Sequence, residues 1–151
     1  MSDLLYIIIL IAITYFTGSV IEKNHFNKIK KREKALVRYP VVNFGIKDWD
    51  PNRKIKKFQL VTGEAVISGD YFKTFAASLK NTFGGRLTSL ESVIDRARRE
   101  AILRMREKAY GANFIINVKI EATMVNDIYA NQGGTPQCAV IAYGTAITYE
   151  K

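Results

Sequence analysis

Cysteine and histidine are almost missing from this chain of 151 residues, which holds one of each, Cys138 and His25. A single thiol excludes an internal disulfide and suits a reducing compartment. Soft and borderline metals are usually held by several Cys and His ligands, a set this chain cannot supply. No clustered Asp-x-Asp spacing offers a hard cation a carboxylate site either. A Ser-His-Asp or Cys-His arrangement would have to recruit His25 from a basic stretch far from the rest of the chain. Neither Gly63-Glu64 nor Gly84-Gly85 sits in a phosphate-loop or dinucleotide pattern, so both read as backbone geometry. No repeat or low-complexity segment is present. These absences predict a protein that is not an enzyme and needs no cofactor.

Charge is missing from the start as well. Met1-Ser2-Asp3 carries an acid and no base, and no small-x-small site lies beyond it, which argues against a cleaved signal peptide. The next segment is apolar: Leu4 to Ile21 has no ionisable carboxylate or amine, and as a helix would span roughly 27 Å. That length predicts a transmembrane anchor over residues 1–22, hydrophobic all round rather than amphipathic. Beyond it stand Lys23, Lys28, Lys30, Lys31, Arg32, Lys34 and Arg38, against the single acid Glu33. By the positive-inside rule the N-terminus would lie outside and the C-terminal domain in the cytoplasm, a single-pass membrane protein.

The formal charge of +9 is unevenly placed, with +8 between Glu22 and Lys57 and only +2 from Phe58 onward. Residues 23–57 therefore read as a basic neck and connector, and Glu22 to Val37, free of Gly and Pro, extends the helix into the neck until Tyr39-Pro40 interrupts it. Lys23, Lys28, Lys30, Lys31, Arg32 and Lys34 are its candidate membrane-surface residues, facing anionic lipid of the bilayer. Nucleic acid is not an expected partner, because the folded part is nearly neutral.

From residue 58 to 151 the pattern becomes that of one small domain. Phe58 to Ser68 reads as a strand, and Tyr71 to Thr82 as a helix after Asp70. Thr88-x-x-Glu91 opens a long helix as a capping box, and Gly111 closes it. Its apolar stripe is Leu90, Val93, Ile94, Ala97, Ala101, Met105 and Ala109. Arg96, Arg98, Arg99, Arg104 and Arg106 alternate with Asp95, Glu100 and Glu107 and read as a solvated face. Phe114 to Val125 forms a second strand with Ile116, Val118, Ile120, Ala122 and Met124 on one side. A loop leads to a third strand, Cys138 to Tyr149. Trp49, the sole tryptophan, reads as a clamp for the connector.

The order strand, two helices, strand, strand gives an α+β domain with a three-stranded antiparallel sheet, one face of which a single helical layer leaves uncovered. The third strand is apolar or small on both faces, so burial against another subunit is expected through Ile141, Tyr143 and Ile147. Glu64, an acid inside an apolar strand, and Cys138 are the weak candidates for a metal ligand.

Val61-Thr62-Gly63-Glu64-Ala65-Val66, Gly84-Gly85-Arg86, Ala97 to Arg106, Tyr110-Gly111-Ala112-Asn113 and Tyr143-Gly144-Thr145-Ala146 together resemble the YbjQ-like family, known as a heavy-metal-binding domain family. The resemblance implies a dodecin-like strand-helix-strand-strand fold that assembles into a homo-oligomeric ring, with pentamers typical. It implies no activity attached to a residue of this chain. The expected function is a membrane-anchored, ring-forming scaffold or binding module. The alternative is a metal or small-ligand sensor whose sites lie at subunit boundaries, where one Glu64 or Cys138 per chain is repeated by symmetry.

Overall fold

The computed structural model describes residues 2–43, 52–69, 88–125 and 137–150. Among them are helix α1 (Ser2–Ala35), strand β1 (Ile55–Ser68), helix α2 (Thr88–Lys108) and strands β2 (Phe114–Met124) and β3 (Gln137–Tyr149). The strands form one antiparallel sheet in the order β1-β3-β2. The α+β class and the three-stranded antiparallel sheet are as the sequence predicts. The expected helix over 71–82, the loop over 126–136 and the Trp49 clamp lie outside the described residues.

The core forms where α2 crosses one face of the sheet. Val93, Ala97, Ala101, Met105 and Ala109 recur at helical spacing and are buried with Val61, Ala65, Ile115, Cys138, Val140, Ala142 and Ala146. Small residues let the helix approach closely. A Cβ on Gly63 would collide with the carbonyl oxygen of Ala101 and the amide nitrogen of Met105, so the backbone of α2 rests directly on β1 there. Gly111 adopts φ +86° just past α2, the left-handed cap expected of it.

β2 departs from the simple alternation. Its register against β3 shifts between Ile116 and Lys119, and Asn117 takes φ +53°. The bulge carries Ile115, opposite Ala146, into the core, whereas Ile116 pairs with Thr145 on the other parity. The expected grouping of Ile116 with Ile120 on one face is corrected by that extra residue. Gly144 makes room for it: a Cβ there would stand 2.9 Å from Cγ2 of both Ile115 and Val118.

The transmembrane anchor expected over residues 1–22 is overturned. Among the described residues no helix is long and apolar enough to cross a membrane. The uncharged run ahead of Glu22 is diluted by Thr14, Thr17, Gly18 and Ser19. The extension of the helix into the neck is as the sequence predicts: α1 does not stop at residue 22. It continues unbroken to Ala35, and its second half packs on α2. The single-pass localisation, with its outside N-terminus and cytoplasmic domain, falls with the anchor.

Candidate functional site

Two surfaces concentrate the chemistry of the described residues. One is the sheet face turned away from α2. The other is the seam where α1 meets α2.

The register places Phe58, Leu60, Thr62, Glu64 and Val66 of β1 on the same side as Ile141, Tyr143, Thr145 and Ile147 of β3. Phe58 is 74% exposed, Leu60 67%, Val66 64% and Ile141 38%. Tyr143 is half-buried, and Ile147 is only 4% exposed because it is already covered within its own chain. Ile147 is therefore a poor candidate for a contact with another subunit, while Ile141 keeps that potential. Sequence reasoning does not single out Phe58, Leu60 and Val66. A signal for them exists, since every second residue from 58 faces away from Gly63, the position that must lie under α2.

Glu64 and Cys138, the two weak metal candidates, do not come together. Glu64 is exposed opposite Ile141, whereas Cys138 is 1% exposed on the opposite sheet face, paired in register with Ile67. Burial pushes the Cys138 thiol up, with Arg98 pulling weakly the other way, so the thiol is held in its neutral form. Among the described residues no three of His, Cys, Asp and Glu stand close enough to hold a metal ion. His25 sits on α1 with its Nδ1 buried and making no hydrogen bond among the described residues. The donor set described within one chain does not fit a heavy-metal site.

The seam between the helices is built from charge. Arg32 Nη1 donates to both carboxylate oxygens of Glu100, at 2.9 and 2.7 Å, and its Nε donates to Glu107 at 2.9 Å. Arg104, one turn along α2, donates to Glu100 at 2.9 Å. Arg99 grips Glu33 with two bonds of 2.8 and 2.7 Å and lies over the ring of Phe26. Ser92 donates to Glu22 at 2.6 Å. Glu100 is 6% exposed, and burial alone would raise its pKa; the guanidiniums of Arg32 and Arg104 outweigh that and hold it below the usual carboxylate range. The Arg99 hydrogen bonds likewise lower Glu33. Ile29 is buried on the same side of α1, and Leu103 is buried between Glu100 and Glu107 along α2.

Two expectations are revised by this seam. Part of the charged side of α2, with Arg99, Glu100 and Glu107, meets α1, whereas Asp95, Arg98 and Arg104 stay exposed and the expected one-turn pairs Asp95–Arg99 and Glu100–Arg104 are present. Arg32, expected to meet lipid with its lysine neighbours, turns inward to α2, while Lys23, Lys28, Lys30, Lys31 and Lys34 remain exposed.

Among the described residues, a three-stranded antiparallel sheet with α2 packed on one face, and small residues where they meet, defines an α+β module. Residues 48–150 match the YbjQ family model, described as "putative heavy-metal-binding", and the chain belongs to that family. Over 93 residues it is 42% identical to a UPF0145 protein of Acetivibrio thermocellus, covering 60% of this chain and 82% of the relative. A UPF0145 protein of Clostridium kluyveri is 35% identical over 101 residues, 65% of this chain and 90% of the relative. One from Saccharolobus solfataricus is 33% identical over 104 residues, 67% and 84% of the two chains. Helix α1 precedes the matched segment, so the seam joins the family domain to an element outside that match.

Proposed function

We propose that this chain is a self-associating binding module without catalytic activity, whose copies meet through the open face of the sheet. The observation that supports it is the exposed apolar set Phe58, Leu60, Val66 and Ile141 on a face that α2 does not cover. Burying four such side chains contributes on the order of 6–12 kcal/mol per subunit. Association costs roughly 4–15 kcal/mol in lost freedom, so a single pairwise contact is marginal. A closed ring gives every subunit two neighbours and fits that balance better. The ring of five that the family resemblance implies supports the same arrangement. Leu60→Asp tests the reading: the variant should retain its circular dichroism and lose assembled mass in light scattering. An unchanged mass would count against the open face.

A metal or small-ligand site at subunit boundaries is the second reading, favoured by one observation. Glu64 is exposed on that same open face, where assembly would repeat it around the symmetry axis. Metal content of the purified protein, compared between wild type and Glu64→Gln, tests it. Substoichiometric metal in both would remove this reading and leave the first intact.

A further inference from the structure

Helix α1 sorts its charges by side. Its acids beyond Asp3 are Glu22 and Glu33, and both turn towards α2, where Ser92 and Arg99 hold them. Arg32 turns the same way to Glu100 and Glu107. The opposite side is left with Asn24, then Asn27 with Lys28, then Lys31 and then Lys34, each step about one turn, flanked by Lys23 and Lys30. Lys23, Lys28, Lys31 and Lys34 form no ion pair among the described residues. Lys30 lies close enough to Glu33 to help lower its pKa. From Lys23 to Lys34 the ridge is about 16 Å long. A recess of about 530 Å³ runs along it, lined by Asn24, Asn27, Lys28, Lys30, Lys31 and Lys34.

We infer that this lysine ridge is a docking surface for the phosphate headgroups of an anionic lipid layer, with α1 lying along the layer and the domain behind it. The contact is with the surface and requires no crossing. Three features select this partner over other polyanions. The cations are lysines, compact charges that accept phosphates in any orientation, rather than arginine forks matched to a fixed site. The ridge carries no aromatic side chain on which a base could stack, since Phe26 is turned to Arg99. On the ridge's own side the same helix continues into the exposed apolar side chains Ile9, Ile13, Phe16 and Val20, which suit the boundary beneath a headgroup layer and not an aqueous polyanion. Each lysine near such a surface contributes about 1 kcal/mol, so four acting together are decisive at low salt.

The test is flotation of the full chain with vesicles of neutral phosphatidylcholine, or of the same lipid mixed with phosphatidylglycerol, at low and high salt. The wild type should prefer the anionic vesicles by at least about tenfold at low salt and lose that preference at high salt. The combined variant Lys28→Gln, Lys30→Gln, Lys31→Gln and Lys34→Gln should treat both vesicles alike at either salt. These side chains are solvent-exposed, so folding is preserved, as circular dichroism will show. Equal partition of the wild type, or a variant that keeps the anionic preference, overturns the inference. So does tight binding of RNA or inorganic polyphosphate with no anionic preference among vesicles. None of these outcomes depends on the subunit number.

Discussion

Arg32 and Glu100 face each other across the α1–α2 seam, with one guanidinium nitrogen bonded to both oxygens of a nearly buried carboxylate. Arg104 completes the cradle from the helix that carries Glu100. The seam thereby fastens α1 to the family domain mainly by directional charge, with Ile29 as its buried apolar contribution from α1.

Removing one partner should cost more than removing both. Arg32→Met leaves Glu100 short of a donor and should destabilise the chain by about 1–3 kcal/mol. The loss is held to that range because Arg104 remains and the Arg32 side chain is 35% exposed. Pairing Arg32→Met with Glu100→Gln should recover part of the loss. A double-mutant cycle in urea measures the coupling, and simple additivity would mean that the pair does not interact.

Acid should loosen the seam. Glu33 and Glu100 both have lowered pKa values in the folded chain. Their contribution is present above the unfolded carboxylate value of about 4.3 and is lost as pH falls through the lower folded values. Stability should therefore be flat near neutrality and decline below about pH 4. Thermal unfolding from neutral to acidic pH checks this, and Glu33→Gln with Glu100→Gln should show a shallower acid limb.

Gly63→Ala should be among the more costly single-methyl additions in the chain. The new Cβ meets backbone atoms of Ala101 and Met105, which cannot move aside as a flexible side chain could. A loss of about 2–3 kcal/mol is expected. Gly111→Ala meets nothing within 4 Å but must hold φ at +86°, so about 1 kcal/mol is expected there. Denaturant titration of the two variants separates steric from backbone strain.

Cys138 should be slow to react. It is buried in the core and its thiol is pushed up by that burial. A disulfide exchange reagent should modify it only at the pace of opening in native buffer, and at once in denaturant. Rapid native modification would show that the third strand is not packed as described.

Much of the domain is legible in the residues. Thr88-x-x-Glu91 and Gly111 bracket α2, and the stripe from Val93 to Ala109 names the side that meets the sheet. Val140, Ala142, Gly144 and Ala146 likewise declare the buried face of β3. The bulge is not legible, because Ile116, Val118 and Ile120 continue a plausible alternation straight through Asn117. The seam escapes for another reason. Arg32 and Glu100 are 68 positions apart, so the charges of α2 look like ordinary one-turn pairs until α1 is laid beside them. The apolar start misleads in its turn: length and flanking charge suggest an anchor, and although the continuation of the helix into the neck is legible, the grip of the domain on its second half is not.

Self-association through the open face is the central claim, and sedimentation velocity of the full chain tests it most directly. Wild type at micromolar concentration should sediment as a discrete assembly of several subunits. Phe58→Asp with Leu60→Asp should shift it to a folded species of one chain mass. A wild type that sediments as a folded monomer, or a double variant that keeps the assembled mass, would contradict the account.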